Sequence, residues 1–236
     1  MGFRFGLDGT QGAFPRLRFL VRSAGLGNAS LRAVGWAWRQ AKLWSWDTVH
    51  GVETRNEVEL NNLGIIDKVA AENAVRYQTD SGNMPRLLRE LNLDWQEYTF
   101  VDLGAGKGRP CMIAAGLPFR RVVGVEISAN LVQRAQANLR RYRGDLRAPV
   151  TFEESDAGNF RFPRTPLVVF AYNPFGYDLM KAVLRNLSEA YAEEPHPIWF
   201  IYRIATQRKV FEDFRFLQEA FTQGEGYHVY CTAEAT

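Results

Sequence analysis

The sequence predicts an α/β fold: a doubly wound, mainly parallel sheet of about seven strands, with a helical extension in front of it. Three observations predict it. From Tyr98 onward, short apolar runs alternate with stretches of helical period. Several of those runs are almost continuously apolar, as strands covered on both faces are. The first run meets a glycine cluster, Gly104, Gly106 and Gly108, and then a helical stretch. In a doubly wound sheet, ligands bind at such a junction, outside the carboxyl ends of the strands.

The elements follow in order. Ser81–Leu93 reads as a helix that leads into the sheet. Tyr98–Leu103 is the first strand, and a helix follows the glycines to about Gly116. Arg121–Glu126 is the second strand. Ser128 stands where an N-cap belongs, and Leu131, Ala135 and Leu139 recur at helical spacing through Tyr142. Val150–Glu153 is a short third strand, and Pro166–Tyr172 is a fourth, ended by Asn173-Pro174. Tyr177–Ala192 is a helix and Ile198–Ile204 a fifth strand. Phe214–Phe221 and Tyr227–Thr232, parted by Gly224 and Gly226, close the chain as an antiparallel pair. Strands that alternate with helices imply right-handed crossovers and parallel neighbours.

Composition fits a globular chain. Of 236 residues, 46% are hydrophobic and 23% charged, which excludes disorder, a collagen-like fibre and a coiled coil. No run reaches the ~18 uncharged apolar residues of a membrane span. Two cysteines, Cys111 and Cys231, make neither a disulfide framework nor a zinc site. They fit a reducing compartment, so a cytoplasmic location is expected. No metal site is expected, and oligomeric state is not legible.

Charge is uneven. Residues 1–45 hold seven basic residues against one acid, Asp8, together with Trp36, Trp38 and Trp44. Arginines interrupt every apolar run before a secretory h-region forms. Three readings stand: an organelle transit peptide, a helical extension that packs its Trp and Leu residues and leaves its arginines in water, or an arm that contacts an anionic membrane or nucleic acid. The expected division is an extension over 1–75 and a ligand-binding domain over 76–236.

The glycine loop reads Asp102-Leu103-Gly104-Ala105-Gly106-Lys107-Gly108-Arg109. A P-loop needs Lys-Ser/Thr after its last glycine, and Arg109 follows Gly108. A dinucleotide fingerprint puts its third glycine where Arg109 stands. The remaining pattern, D-x-G-x-G-x-G, places an acid before the glycines. That acid repels a pyrophosphate and attracts a cationic ligand; S-adenosylmethionine carries a sulfonium and an ammonium. Lys107 and Arg109 are expected to be solvated or paired structurally.

Residues 98–109 resemble motif I of the class I, Rossmann-like S-adenosylmethionine-dependent methyltransferases. Glu126, 24 residues after Asp102 at the end of the second strand, stands where an acid accepts the ribose hydroxyls. The resemblance implies that Asp102, Gly104, Ala105, Gly106 and Gly108 form the cofactor cradle. It implies that Glu126 and Ile127 flank the ribose and that Asp156 and Ala157 meet the adenine. Tyr77 would cover the methionine end. Each acid also has a plain structural reading: Glu126 as a helix-entry acid, Asp156 as a turn residue.

Asn173-Pro174-Phe175-Gly176 is similar to the N-P-P-Y motif of class I enzymes that methylate nitrogen, with Phe175 in place of the second proline. It also reads as a tight strand-ending turn. The resemblance implies that Asn173 and the Pro174 carbonyl accept hydrogens from the target amine, and that an aromatic such as Phe175 stacks on it. Asn173 would also line the cofactor. The expected activity is methyl transfer to a nucleophile, with a protein nitrogen preferred over a small molecule or RNA. The rivals are a nicotinamide-dependent oxidoreductase, an aminopropyl transferase and a non-catalytic binding protein.

Overall fold

The computed structural model describes residues 34, 35, 37, 40–55, 84–172, 175–224 and 226–235. The chain divides into two compact units, Met1–Trp46 and Asp47–Thr236. Residues 47–55, which the sequence reading groups with the extension, therefore belong to the second unit. A helix covers 40–50 (α1). Among the described residues, no helix is long and apolar enough to cross a membrane.

The second unit is a seven-stranded sheet. Its strands are β1 Thr99–Leu103, β2 Arg121–Glu126, β3 Val150–Glu154, β4 Leu167–Tyr172, β5 Ile198–Arg203, β6 Gln218–Gln223 and β7 Tyr227–Cys231. They lie in the order β3-β2-β1-β4-β5-β7-β6. The first five are parallel, and β7 runs antiparallel to both β5 and β6. The order reverses between β1 and β4, so the crevice expected for a ligand opens at their carboxyl ends.

The helices are α2 Met84–Leu91, α3 Arg109–Ala114, α4 Ala129–Arg141 and α5 Tyr177–Glu193. In α2, Met84, Leu87 and Leu88 are buried at helical spacing. Ser128 caps α4 by accepting the Leu131 N–H, and Arg140 and Arg141 complement its carboxyl end. The central strands are buried on both faces because consecutive residues point to opposite sides. Val101, Val123 and Val169 meet the α5 residues Met180, Val183 and Leu184. Phe100, Val122 and Val168 meet Met84, Leu87 and Cys111.

The closing pair differs from the sequence reading at its start. The strand begins at Gln218 rather than Phe214, because Phe214 and Phe216 turn their rings onto the core beneath α5. Arg208–Asp213 forms a 3-10 helix ahead of them. As the edge strand, β6 carries Gln218, Glu219, Thr222 and Gln223 and a register shift between Glu219 and Phe221. Polar side chains and a bulge protect such an edge from pairing further.

Candidate active site at the carboxyl edge of the sheet

Where β1 ends, the chain folds over the end of β2. The N–H groups of Gly104 and Ala105 both donate to the Val125 carbonyl, at 2.9 and 3.0 Å. Gly104, Gly106 and Gly108 have φ of 77°, 55° and 83°. At Gly108 two requirements coincide. Its backbone is left-handed, and a Cβ would stand 2.6 Å from the Phe152 ring of β3. The loop thus lies flat against β2 and β3, with Gly104 open to solvent and Ala105–Gly108 buried.

Glu126 holds this loop from below. Its Oε2 accepts the Gly106 N–H at 2.8 Å and its Oε1 the Ser128 N–H at 3.0 Å. Burial pushes its carboxyl pKa up, and those backbone donors pull the other way. Asp102 pairs across the sheet with Gly124, so strand alternation puts Asp102 and Glu126 on one face near the same edge. The Cys111 thiol donates to Asp102 Oδ2 at 3.6 Å. Burial, then the Asp102 charge, raises the Cys111 pKa well above that of a free thiol.

A second set of contacts secures the loop. Lys107 is fully buried, and its ammonium donates to both Glu53 carboxylate oxygens, at 2.9 and 2.8 Å. Burial lowers the Lys107 pKa, and Glu53 opposes that shift. Asn138 of α4 completes the set. Its amide nitrogen donates to the carbonyls of Glu53 and Lys107, and its oxygen accepts the Glu53 N–H. Asp47 in turn accepts from the N–H groups of Thr54 and Arg55 and from the Thr54 hydroxyl. Lys107 is paired, as expected, and Arg109 is buried rather than solvated.

Beyond β3, the Ser155 N–H donates to the Glu126 carbonyl, which brings Asp156 alongside Glu126. The Asp156 carboxylate accepts from the Gly158 N–H and the Asn159 amide, so it serves as a turn cap. Ala157 is buried and Ile127 half-buried. Tyr77, Asn173 and Pro174 lie outside the described residues. Phe175 is 7% exposed and packs with Met180 and Val183. Stacking on an acceptor needs an open ring face, and Phe175 presents its ring to the core instead.

Next to that segment, sequence reading misses a cluster. Arg203 aligns with Tyr172 of β4 and Tyr227 of β7. Its guanidinium lies 4.4 Å from the Tyr227 ring centre and 5.6 Å from that of Tyr172. The following residue, Ile204, has φ of 49°, a costly conformation for a β-branched side chain. The continuous apolar run of β5 gives no hint of either feature. Among the described residues, no group of three or more His, Cys, Asp or Glu side chains is placed to hold a metal ion.

Residues 100–194 match a family model described as a methyltransferase domain. The chain is also similar to several solved structures. One is the ribosomal protein L11 methylase of Lactobacillus delbrueckii subsp. bulgaricus, at 13% identity and a TM-score of 0.48, covering 64% of this chain and 77% of that one. An RNA methyltransferase of Salinibacter ruber, in complex with S-adenosyl-L-homocysteine, has 21% identity and a TM-score of 0.46, covering 66% and 92%. The magnesium protoporphyrin IX methyltransferase of Synechocystis has 17% identity and a TM-score of 0.44, covering 63% and 76%. No curated protein matches the chain.

Proposed function

We propose that this chain, whose residues 100–194 match a methyltransferase-domain model, is a class I S-adenosylmethionine-dependent methyltransferase that methylates a nitrogen nucleophile on a protein. One observation carries the cofactor end of this reading: the Glu126 carboxylate fixes the Gly106 N–H beneath a loop of left-handed glycines, at the point where the strand order reverses. A side chain at Gly108 would strike Phe152 and Ala135, so glycine there lets the loop pack tightly onto β3 and α4. The lone pairs that Glu126 does not use on Gly106 and Ser128 suit the hydroxyls of a ribose. Asp102 and Glu126 together make this edge anionic, which suits a sulfonium donor better than a diphosphate.

When bound, the cofactor supplies an activated methyl group that passes to the acceptor's lone pair as the sulfur–carbon bond breaks and the electron pair stays on sulfur. The chain contributes position. Asn173 and Pro174 follow β4 in sequence. In this reading they accept hydrogens from the target amine and aim its lone pair. The amine proton leaves to solvent after transfer. Phe175 anchors this segment through the core, while Arg203, between Tyr172 and Tyr227, stiffens the neighbouring strand ends.

The test has two stages. Calorimetric titration with S-adenosylmethionine is expected to show saturable binding that Gly106→Val abolishes. Incubation of a host lysate with methyl-labelled cofactor, followed by sorting into protein, nucleic acid and small molecules, is expected to label protein, and Asn173→Ala to remove that label. Label confined to nucleic acid or small molecules overturns the acceptor. Unaltered binding by Gly106→Val overturns the site.

A further inference from the structure

The opposite edge of the sheet carries an arginine cluster that methyl transfer does not use. Between residues 117 and 150 the chain has seven arginines, no lysine and two acids. One acid, Glu126, is buried beneath the glycine loop. Arg134 lies midway along α4 and hydrogen-bonds Asn130. The other six, Arg120, Arg121, Arg140, Arg141, Arg143 and Arg147, are all exposed.

Topology brings these six together. Arg120 and Arg121 stand at the amino end of β2, where Arg121 pairs with Thr99 of β1. The Val122 N–H donates to the Pro149 carbonyl, which sets Arg147 and the start of β3 beside them. Helix α4 follows β2 and runs back along the sheet to the same edge, so Arg140, Arg141 and Arg143 arrive there too. The acids along this edge, among the described residues, are Asp94, Glu97 and Asp145. None of the six arginines is in an ion pair among the described residues. Arg141 alone has side-chain hydrogen bonds, to Ala137 and Asn138.

Six guanidiniums on one edge repel one another, and a polyanion relieves that repulsion. We propose that the amino-terminal edge of β1–β3 docks the phosphate backbone of a single-stranded nucleic acid. Arginine alone, without lysine, suits planar two-pronged contacts with phosphate oxygens. His50 and Tyr142 add a stacked aromatic pair, 5.1 Å between centres and 7° from parallel, half-buried beside Arg141 and Arg143. Unpaired bases stack on such rings. A membrane surface wants a stripe of apolar side chains as well; among the described residues beside this cluster only Leu146 and Val49 are large, apolar and exposed, which is too few for a stripe. Because it lies at the amino ends of the strands, opposite the carboxyl ends where the order reverses, the cluster acts as a tether rather than as the acceptor pocket.

The test uses the full chain and a fluorescent RNA strand of about 20 nucleotides, followed by anisotropy, with DNA of the same sequence and phosphatidylserine vesicles as further arms. If about five phosphates are contacted, the logarithm of the binding constant falls with that of salt concentration at a slope of about −3.5. The triple variant R121E/R140E/R147E is expected to weaken strand binding at least about tenfold and to flatten the slope by about 2. Its S-adenosylhomocysteine affinity and circular dichroism are expected to match the wild type. R121Q/R140Q/R147Q serves if the reversal of charge perturbs folding. A control of equal charge change, R161E/R185E/R215E, which alters exposed arginines elsewhere, is expected to keep strand binding. The proposal is overturned by absent strand binding, by a salt slope near zero, by equal loss in the control, or by vesicle binding without strand binding.

Discussion

Glu126 accepts the Gly106 N–H at 2.8 Å with one carboxylate oxygen and the Ser128 N–H at 3.0 Å with the other. One side chain at the end of β2 therefore fixes both the glycine loop and the entrance to α4. An amide in its place turns a donor toward one of those two donors. Glu126→Gln is expected to lower S-adenosylhomocysteine affinity at least tenfold and to cost about 1–3 kcal/mol of stability. Calorimetry and thermal unfolding read the two effects; wild-type affinity in this variant would show that the loop does not depend on the carboxylate.

The Lys107–Glu53 pair gives a pH signature. Burial lowers the Lys107 pKa, so the folded state gives up its proton at a lower pH than the unfolded chain does. Below the folded-state value, the buried charge costs stability in full. That cost fades as pH rises through the window toward the unfolded value of about 10.4. Glu53→Gln removes the partner and deepens the cost at neutral pH. Glu53 is 40% exposed, so a loss of about 1–3 kcal/mol is expected rather than that of a fully buried pair. In urea titrations, the gap between Glu53→Gln and the wild type is expected to narrow as pH rises to about 10. Adding Lys107→Met is expected to recover most of the loss. A gap that widens with pH would assign the effect to another group.

Gly124 is a packing glycine. A Cβ there would stand 2.5 Å from Phe152 Cδ1 and 2.8 Å from the Ala105 Cβ. Gly124→Ala is expected to cost about 1–3 kcal/mol, and Phe152→Leu to restore part of that by withdrawing the ring. Chemical unfolding of the single and double variants measures both, and an additive double variant would refute the contact.

The sequence is a good guide where periodicity and local chemistry decide. β1, β2 and β4 appear within a residue of their expected bounds because their apolar runs are covered on both faces. Ser128 caps α4 because its hydroxyl meets a backbone donor three residues on. Long-range contacts leave no such trace. Nothing near Glu53 announces a partner 54 residues away, nor Asn138 one 85 away. Phe175 looks like an acceptor-facing aromatic, yet side-chain direction depends on how the chain leaves β4, and the ring turns inward. At Asp156 the turn-capping role is visible in its bonds to Gly158 and Asn159. Arg203 and Ile204 end an ordinary-looking strand, and only the register with Tyr172 and Tyr227 reveals the ring sandwich.

The Asn138 bridge also sets an order of events in folding. Closing a contact 85 residues long must overcome the entropy of a large loop before it gains anything. Residue 53 leaves the ribosome well ahead of its partners, so the early chain lacks the groups that hold it. Pairing of β1 with β2 needs a much shorter closure. The bridge between Glu53 and Asn138 therefore depends on a sheet and helix whose own closures are shorter, and it locks the glycine turn from outside rather than shaping it.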